Sequence, residues 1–161
     1  MSQIEYRVVG LAPEPFAPLF DLDDEELARR GIRRRFVDEA HSAPCRVSLE
    51  DAEPGEEVLL LPYAHLDENS PYRAQGAIYV RRMATSRFVG SNAIPDQLRR
   101  RLLSVRAYDA AHLMVESEVV EGADLEGLIQ RFFANRAVDY LHVHNARPGC
   151  YSCRIERVAS A

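Results

Sequence analysis

The chain has 161 residues, 47% of them hydrophobic and 28% charged, which is the composition of an ordinary globular protein. It contains no apolar run near the roughly 18 residues that a membrane-spanning helix needs, and no basic region followed by an apolar stretch at its start. We therefore expect one globular domain over residues 1–161, located in the cytoplasm and without a membrane partner.

All 20 basic residues are arginine, and the chain contains no lysine. Without a lysine amine, Schiff-base and pyridoxal-phosphate catalysis are excluded, and so is the nucleotide-binding P-loop. The net charge of −5 argues against nucleic acid as a partner, because nucleic-acid-binding domains are usually basic. Two arginine triplets, at 33–35 and 99–101, are typical of solvated faces rather than of phosphate clamps.

The first half of the chain predicts strands separated by turns, with a single short helix. Segments rich in β-branched or continuously apolar residues predict strands at 4–11, 32–37, 45–49, 57–63 and 77–81. Asp23 followed by Glu26 forms a capping box, and Gly31 stands where a helix would end, so we predict about two helical turns between them. The polar segment 64–76 is predicted as an irregular loop of the kind that carries binding residues.

The second half predicts one main helix among further strands. After a loop at 82–93, Pro95 opens a short helix at 96–102, and strands follow at 104–108 and 112–120. Residues 124–136 carry the strongest helix pattern. Its apolar stripe consists of Leu125, Leu128, Ile129, Phe132 and Phe133. If the strands on either side of this helix are parallel neighbours, the helix is a right-handed crossover.

These elements predict an α+β fold in a single domain. We expect a twisted, mostly antiparallel sheet of six to eight strands, with the main helix packed across it and one or two short helices beside it.

The densest group of chemically active residue types lies at 139–153, where two of the five histidines and two of the three cysteines flank a Pro-Gly turn. An odd number of cysteines without a signal sequence indicates reduced thiols. His142 and His144 are two apart on a predicted strand, so they share a face with Cβ atoms about 6–7 Å apart and could bind one metal ion.

The pleat of the predicted hairpin decides which cysteine joins these histidines. A five-residue loop at 145–149 would place His144 opposite Cys150, His142 opposite Ser152 and Leu141 opposite Cys153. One face would then be polar, with Tyr140, His142, His144, Cys150, Ser152 and Arg154. The other would be apolar, with Leu141, Val143, Tyr151, Cys153 and Ile155. Because Cys150 and Cys153 would point to opposite faces, we do not expect them to act as a chelating or redox pair.

Two kinds of site are open for these residues. A metal site would use His142, His144 and Cys150, completed by water, His65, His112 or Cys45. No cofactor is firmly implied, and zinc is the candidate ion. A small anionic ligand could instead be bound bidentately by Arg46, Arg73 and Arg154, with Tyr72 and Asn145 orienting it. Cys45 is also a candidate nucleophile, although a small buried residue is the simpler interpretation.

Segments 44–52, 70–76 and 142–150 resemble a bacterial family catalogued only as a domain of unknown function, number 1203. The resemblance spans most of the chain. It implies a single-domain bacterial protein and transfers no catalytic residues.

Three functional hypotheses follow. The leading hypothesis is a small-molecule or anion-binding module. Its site would join His142, His144, Asn145 and Cys150 to His65, Tyr72, Arg73 and the segment 45–46. The alternatives are a metal-dependent, zinc-type hydrolase-like enzyme and a homodimer whose apolar sheet surface is an interaction face without catalysis. Whether the protein is an enzyme stays open.

Overall fold

Two antiparallel sheets form the framework of the protein. The computed structural model describes residues 3–159. Its strands are β1 (Tyr6–Val9), β2 (Arg33–Phe36), β3 (Glu57–Leu66), β4 (Ala74–Arg81), β5 (Val89–Ser91), β6 (Leu102–Tyr108), β7 (Met114–Glu121), β8 (Tyr140–Asn145) and β9 (Tyr151–Arg157). The larger sheet has six strands in the order β5-β1-β9-β8-β6-β7, and the smaller has the order β2-β3-β4. The predicted α+β class and antiparallel sheet are confirmed.

Within residues 3–159, three α-helices and two 3-10 turns accompany the strands. The helices are α1 (Asp24–Arg29), α2 (Asp96–Arg99) and α3 (Leu125–Ala134), and the 3-10 turns are Ala17–Asp21 and Gly122–Asp124. No described helix is both long and apolar enough to cross a bilayer.

Helix α3 packs on one face of the six-stranded sheet because its apolar stripe matches the apolar residues of that face. The predicted stripe is confirmed: all five of its side chains are buried, in one core with Val105 of β6, Val143 of β8 and Ile155 of β9. Each large apolar side chain buried in this way contributes about 1.5–3 kcal/mol. The side chain of Asp124 forms no capping hydrogen bond, so packing rather than capping holds the start of α3.

Half of the capping box predicted for α1 forms, with the Asp23 side chain as the acceptor, whereas the Glu26 carboxylate accepts from Arg29 and Arg30 instead. Asp23 Oδ1 accepts a hydrogen bond from the backbone N–H of Glu26 at 2.8 Å. Gly31 follows the helix with a φ of +76°, a left-handed conformation that glycine adopts without strain. Leu27 is fully buried and anchors α1 in a second core, which the smaller sheet lines.

The connection from β7 to β8 is not the crossover between neighbours that the sequence suggests. Strand β6 pairs antiparallel with β7 on one side and with β8 on the other, so β7 and β8 run in the same direction with β6 between them. A short turn joins β6 to β7, and this local hairpin occupies one edge of β6. Strand β8 therefore takes the other edge.

Three local predictions are wrong. Residues 45–49 are not a strand: the chain turns at Leu49, where φ is +52°, and the N–H of Cys45 donates to the carbonyl of Glu50 at 3.0 Å. Segment 64–76 is only partly irregular, because β3 continues to Leu66 and β4 begins at Ala74. Loop 82–93 contains the short strand β5, which pairs with β1.

The register of the β8–β9 hairpin also differs from the prediction. His142 lies opposite Arg154 and Val143 opposite Cys153, which is a shift of two residues along β9. A β-bulge then brings Tyr151 opposite His144. A register shift of two residues leaves every side chain on its original face of the sheet. The sequence pattern, which distinguishes only the two faces, therefore could not detect this shift. Cys153 is in the core as predicted, but the bulge moves Tyr151 onto the histidine face.

Candidate functional site

A cavity of about 480 Å³ opens beside the β8–β9 turn, and we call it the arginine cavity. Its polar lining includes Arg46, Arg100, Arg101, Arg147, His41, Asn145 and Cys150. Four guanidinium groups therefore border one space, against a single carboxylate in the lining, that of Glu121. A space of this size and charge suits a small anion.

Arg46 forms the inner wall of the arginine cavity. Only 1% of it is exposed. Its Nε donates to the carbonyl of Tyr151 at 2.7 Å, its Nη1 donates to the carbonyl of Pro44, and its Nη2 lies 2.9 Å from Cys150 Sγ. Burial lowers the pKa of Arg46, and the neighbouring Cys150 sulfur opposes that shift. Among residues 3–159, no carboxylate pairs with this guanidinium.

The local backbone explains how Arg46 reaches this position. Its N–H donates to the carbonyl of Tyr79 in β4 at 3.0 Å, and its own carbonyl accepts from the N–H of Leu11 at 2.8 Å. The turn at 45–49 is thereby fixed between the strand β4 and the N-terminal segment, and the side chain of Arg46 extends to the start of β9.

Asn145 and Cys150 close the turn end of the cavity. The backbone N–H of Asn145 donates to the carbonyl of Cys150 at 2.9 Å, and its Nδ2 lies 3.6 Å from Cys150 Sγ. Asn145 is only 4% exposed, and its Oδ1 has no hydrogen-bond partner within the described residues. A buried acceptor of this kind is costly unless a ligand or water satisfies it.

The rim of the cavity is a charged network around Asp51. Its carboxylate lies 2.9 Å from Arg101 Nη2 and 2.8 Å from His41 Nδ1, while Arg100 Nε is 3.8 Å away. Asp51 therefore compensates Arg101 most directly. Arg147 is exposed and makes no ion pair or side-chain hydrogen bond within residues 3–159.

A second group of polar side chains, which we call the histidine cluster, lies between the two sheets. It consists of His65, His142, His144 and Tyr151. His65 stacks on Tyr151 with ring centroids 5.2 Å apart and meets His144 edge-on at 5.0 Å. The His142 ring lies 6.1 Å from that of His65 and 5.1 Å from that of Tyr151. The bulge in β9 makes this packing possible, because it turns Tyr151 towards the histidines.

Burial keeps the histidine cluster neutral. Desolvation, assisted by Arg154, lowers the pKa of His142 to about 2. Desolvation also lowers the pKa of His144 to about 4, although the hydrogen bond between His144 Nδ1 and the Gly149 carbonyl, at 3.1 Å, opposes the shift. The pKa of His65 is lowered by desolvation and by Arg106. One nitrogen of each ring is buried without a partner in the described chain, namely His65 Nδ1, His142 Nδ1 and His144 Nε2.

The structure separates the residues that the sequence analysis joined into one site. Arg46, Asn145 and Cys150 meet in the arginine cavity, whereas His65, His142 and His144 form the histidine cluster. Cys45 borders neither: it is fully buried in the core, and its sulfur accepts from the N–H of Arg81 at 3.4 Å.

The remaining candidate residues lie at other positions. Tyr72 is exposed and packs edge-on against Tyr108 at 6.0 Å, and Arg73 pairs with Asp67 at 2.7 Å in solvent. The guanidinium of Arg154 stacks over the Tyr140 ring at 4.0 Å, and its Nε donates to Glu156. None of Tyr72, Arg73 and Arg154 lines the arginine cavity.

The predicted zinc site stays a prediction. Within residues 3–159, no group of three or more His, Cys, Asp or Glu side chains is arranged to hold a metal ion. The three clustered histidines meet as packed rings, with an interplanar angle of 81° between His65 and His144. Elemental analysis of the purified protein is the direct test.

Sequence reasoning missed four of the seven residues named above in the polar lining of the arginine cavity. Arg100 and Arg101 belong to a triplet that we interpreted as a solvated face, and His41 and Arg147 stand in polar loops. Loops lack the periodicity that marks a buried face, so the sequence offered little to single out His41 or Arg147. The triplet was the available signal, and two of its three residues point to the cavity.

Fold and site together define an α+β domain with an arginine-lined cavity beside a buried histidine cluster. The chain belongs to the family described as proteins of unknown function, DUF1203, whose model matches residues 42–157. The match includes the histidine cluster and every residue lining the arginine cavity except His41. No curated protein and no solved structure matches the chain.

Proposed function

We propose that the protein binds a small anionic ligand, bearing a carboxylate or phosphate group, in the arginine cavity. The observation that carries this function is Arg46, a buried guanidinium without a carboxylate partner among the described residues. Burying an unpaired charge costs several kcal/mol, and a bound anion would offset that cost.

The cavity lining also suggests what else the ligand carries. Three N–H groups of Arg46 already donate to Tyr151, Pro44 and Cys150. The exposed guanidinium groups of Arg100 and Arg147 are therefore the better candidates for direct bidentate contact with the anion. The unpartnered Oδ1 of Asn145 can accept a hydrogen bond from a donor group on the ligand. The ligand class that fits is a small anion with an additional hydroxyl or N–H group.

A location in the bacterial cytoplasm is part of the same proposal. Small carboxylates and phosphate esters are abundant solutes there, and unpaired cysteines such as Cys150 persist in a reducing compartment.

Calorimetric titration and thermal-shift measurements test the proposal. Orthophosphate, citrate and glycerol phosphate serve as probes, glycerol is the uncharged comparison, and sodium chloride holds the ionic strength constant. A probe at about 100 times its Kd stabilises the folded protein by about 2.7 kcal/mol, so binding should raise the melting temperature.

Variants locate the site. In an Arg100→Gln, Arg147→Gln double variant, we expect at least about a tenfold loss of affinity, since two charge-assisted contacts are removed. The matched control is an Arg33→Gln, Arg136→Gln double variant, which makes the same two charge changes at exposed residues outside the cavity lining. An unchanged melting temperature with every anion, or equal binding by the double variant and the control, would refute the proposal.

A further inference from the structure

We propose that Cys150 is a nucleophilic thiol that hydrogen peroxide oxidises to a sulfenic acid inside the arginine cavity. The inference rests on the same cavity as the proposed anion site, but it concerns covalent chemistry at the sulfur and can be tested separately.

Position and hydrogen bonding single out Cys150 among the cysteines. Its side chain is half-buried and lines the cavity, which gives a small reagent access to the sulfur. Arg46 Nη2 lies 2.9 Å from Sγ, and Asn145 Nδ2 lies 3.6 Å from it. A guanidinium at hydrogen-bonding distance is the natural partner of a thiolate, the form of cysteine that acts as a nucleophile.

Asn145 points independently to a small polar reactant at this position. It is 96% buried, since only 4% of it is exposed, and its Oδ1 has no partner within the described residues. Its Nδ2 is already directed at the sulfur. The free carbonyl oxygen can therefore accept the O–H of a peroxide beside Sγ and, after the reaction, the O–H of the sulfenic acid.

The chemistry balances without a further co-reactant. The thiol first loses its proton to solvent. The thiolate sulfur then attacks one peroxide oxygen, so that an S–O bond forms while the O–O bond breaks, and the hydroxide that leaves takes up a proton to become water. The sulfur is oxidised by two electrons, and the peroxide is reduced to water.

The other two cysteines do not compete for the reagent. Cys45 is 0% and Cys153 1% exposed, and burial raises the pKa of the Cys153 thiol to about 12. Both are held in apolar cores, and neither lines the cavity. Cys150 therefore has no resolving thiol of this chain at its side of the cavity, and the oxidised form should be a sulfenic acid rather than a disulfide.

Two labelling experiments on the full chain test the inference. In the first, the protein is treated with hydrogen peroxide in the presence of dimedone, and fragment spectra assign the adduct. We expect one adduct, at Cys150, that is lost in Cys150→Ser. In the second, alkylation by iodoacetamide at pH 6.5 is followed by intact mass, and Cys150 should react at least about tenfold faster than glutathione.

Two variants test the role of the guanidinium. Arg46→Gln should slow alkylation at least about tenfold. Because Arg46 also binds two backbone carbonyls, Asn145→Asp is the second variant: it places a negative charge beside the sulfur and should slow the reaction without removing those contacts. Alkylation no faster than that of glutathione, equal labelling of Cys45 and Cys153, or unchanged rates in both folded variants would overturn the inference.

Measurements on the wild-type chain distinguish this inference from the proposed function, because anion binding and the reactivity of Cys150 are read separately on the same protein. Phosphate binding with an inert Cys150 would defeat the inference alone, and a reactive Cys150 in a protein that binds no anion would defeat the proposed function alone.

Discussion

His142 and His144 are buried in their uncharged form. We therefore predict that the folded protein loses much of its stability on mild acidification. Both side chains are at most 2% exposed, and their pKa values in the folded protein are about 2 and about 4. In the unfolded chain an ordinary histidine has a pKa of about 6.5. Below pH 6.5 the unfolded state therefore binds protons that the folded state does not, and stability must fall as the pH falls.

The magnitude follows from the unfolded-state titration. A pH of 5 lies about 1.5 units below the pKa of an unfolded histidine. Protonation therefore stabilises the unfolded state by about 2 kcal/mol for each of His142 and His144. Titration of these two histidines should therefore lower the free energy of unfolding by about 4 kcal/mol between pH 8 and pH 5. The whole free energy of unfolding of a domain is about 5–15 kcal/mol. His65, whose pKa is also lowered, adds to the loss in the same direction.

Urea unfolding at pH 8, 7, 6 and 5 measures this loss. With a slope of about 2 kcal/mol per molar, the midpoint should fall by about 2 M between pH 8 and pH 5. His142→Phe removes one titrating group of similar shape and should recover about 2 kcal/mol of the difference. Tyr151→Phe is the matched control, because burial raises the pKa of that phenol away from this pH range. A free energy of unfolding that is unchanged or larger at pH 5 would refute the reasoning.

Two further predictions concern the backbone. Gly122→Ala should destabilise the protein by about 3 kcal/mol or more in urea unfolding, because an added Cβ would lie 1.8 Å from the carbonyl oxygen of Leu98. Gly127→Ala, with no atom within 4 Å of the new Cβ, should instead stabilise α3 by about 0.5–1 kcal/mol, and equal effects at the two glycines would contradict this explanation. Asp23→Ala should cost about 1 kcal/mol, measured in the same way, since it removes the cap of α1; no loss would show that packing of Leu27 alone holds that helix.

The elements predicted well from the sequence are those marked by a clear apolar stripe or a clear apolar run. Helix α3 has five apolar residues on one stripe, and strands β3, β4 and β6 have apolar runs bounded by turn residues, so burial and local pattern agree. Residues 45–49 also alternate, but their buried side chains pack beneath a turn rather than in a sheet. An alternating pattern identifies buried faces and does not by itself identify strand pairing.

The site was predicted only in part for two physical reasons. The first is the bulge in β9, a single extra residue that reverses the side on which Tyr151 points and that no periodicity reveals. The second is that the cavity is lined by segments far apart in the chain, at 41–46, 100–102 and 145–150. Arg46, Asn145 and Cys150 could be named because their residue types suggest chemistry, whereas Arg147 becomes meaningful only once the fold places it beside them.

Tyr151, which lies next to the bulge in β9, contacts both polar regions of the molecule. The carbonyl of Tyr151 accepts from Arg46 at 2.7 Å, while its ring stacks on His65 at 5.2 Å, so one residue belongs to the wall of the cavity and to the histidine cluster. If protonation of the cluster moves Tyr151, its contact with the Arg46 guanidinium moves with it. Thermodynamic reciprocity then requires that an occupant of the cavity change the acidity of the histidines by the same free energy.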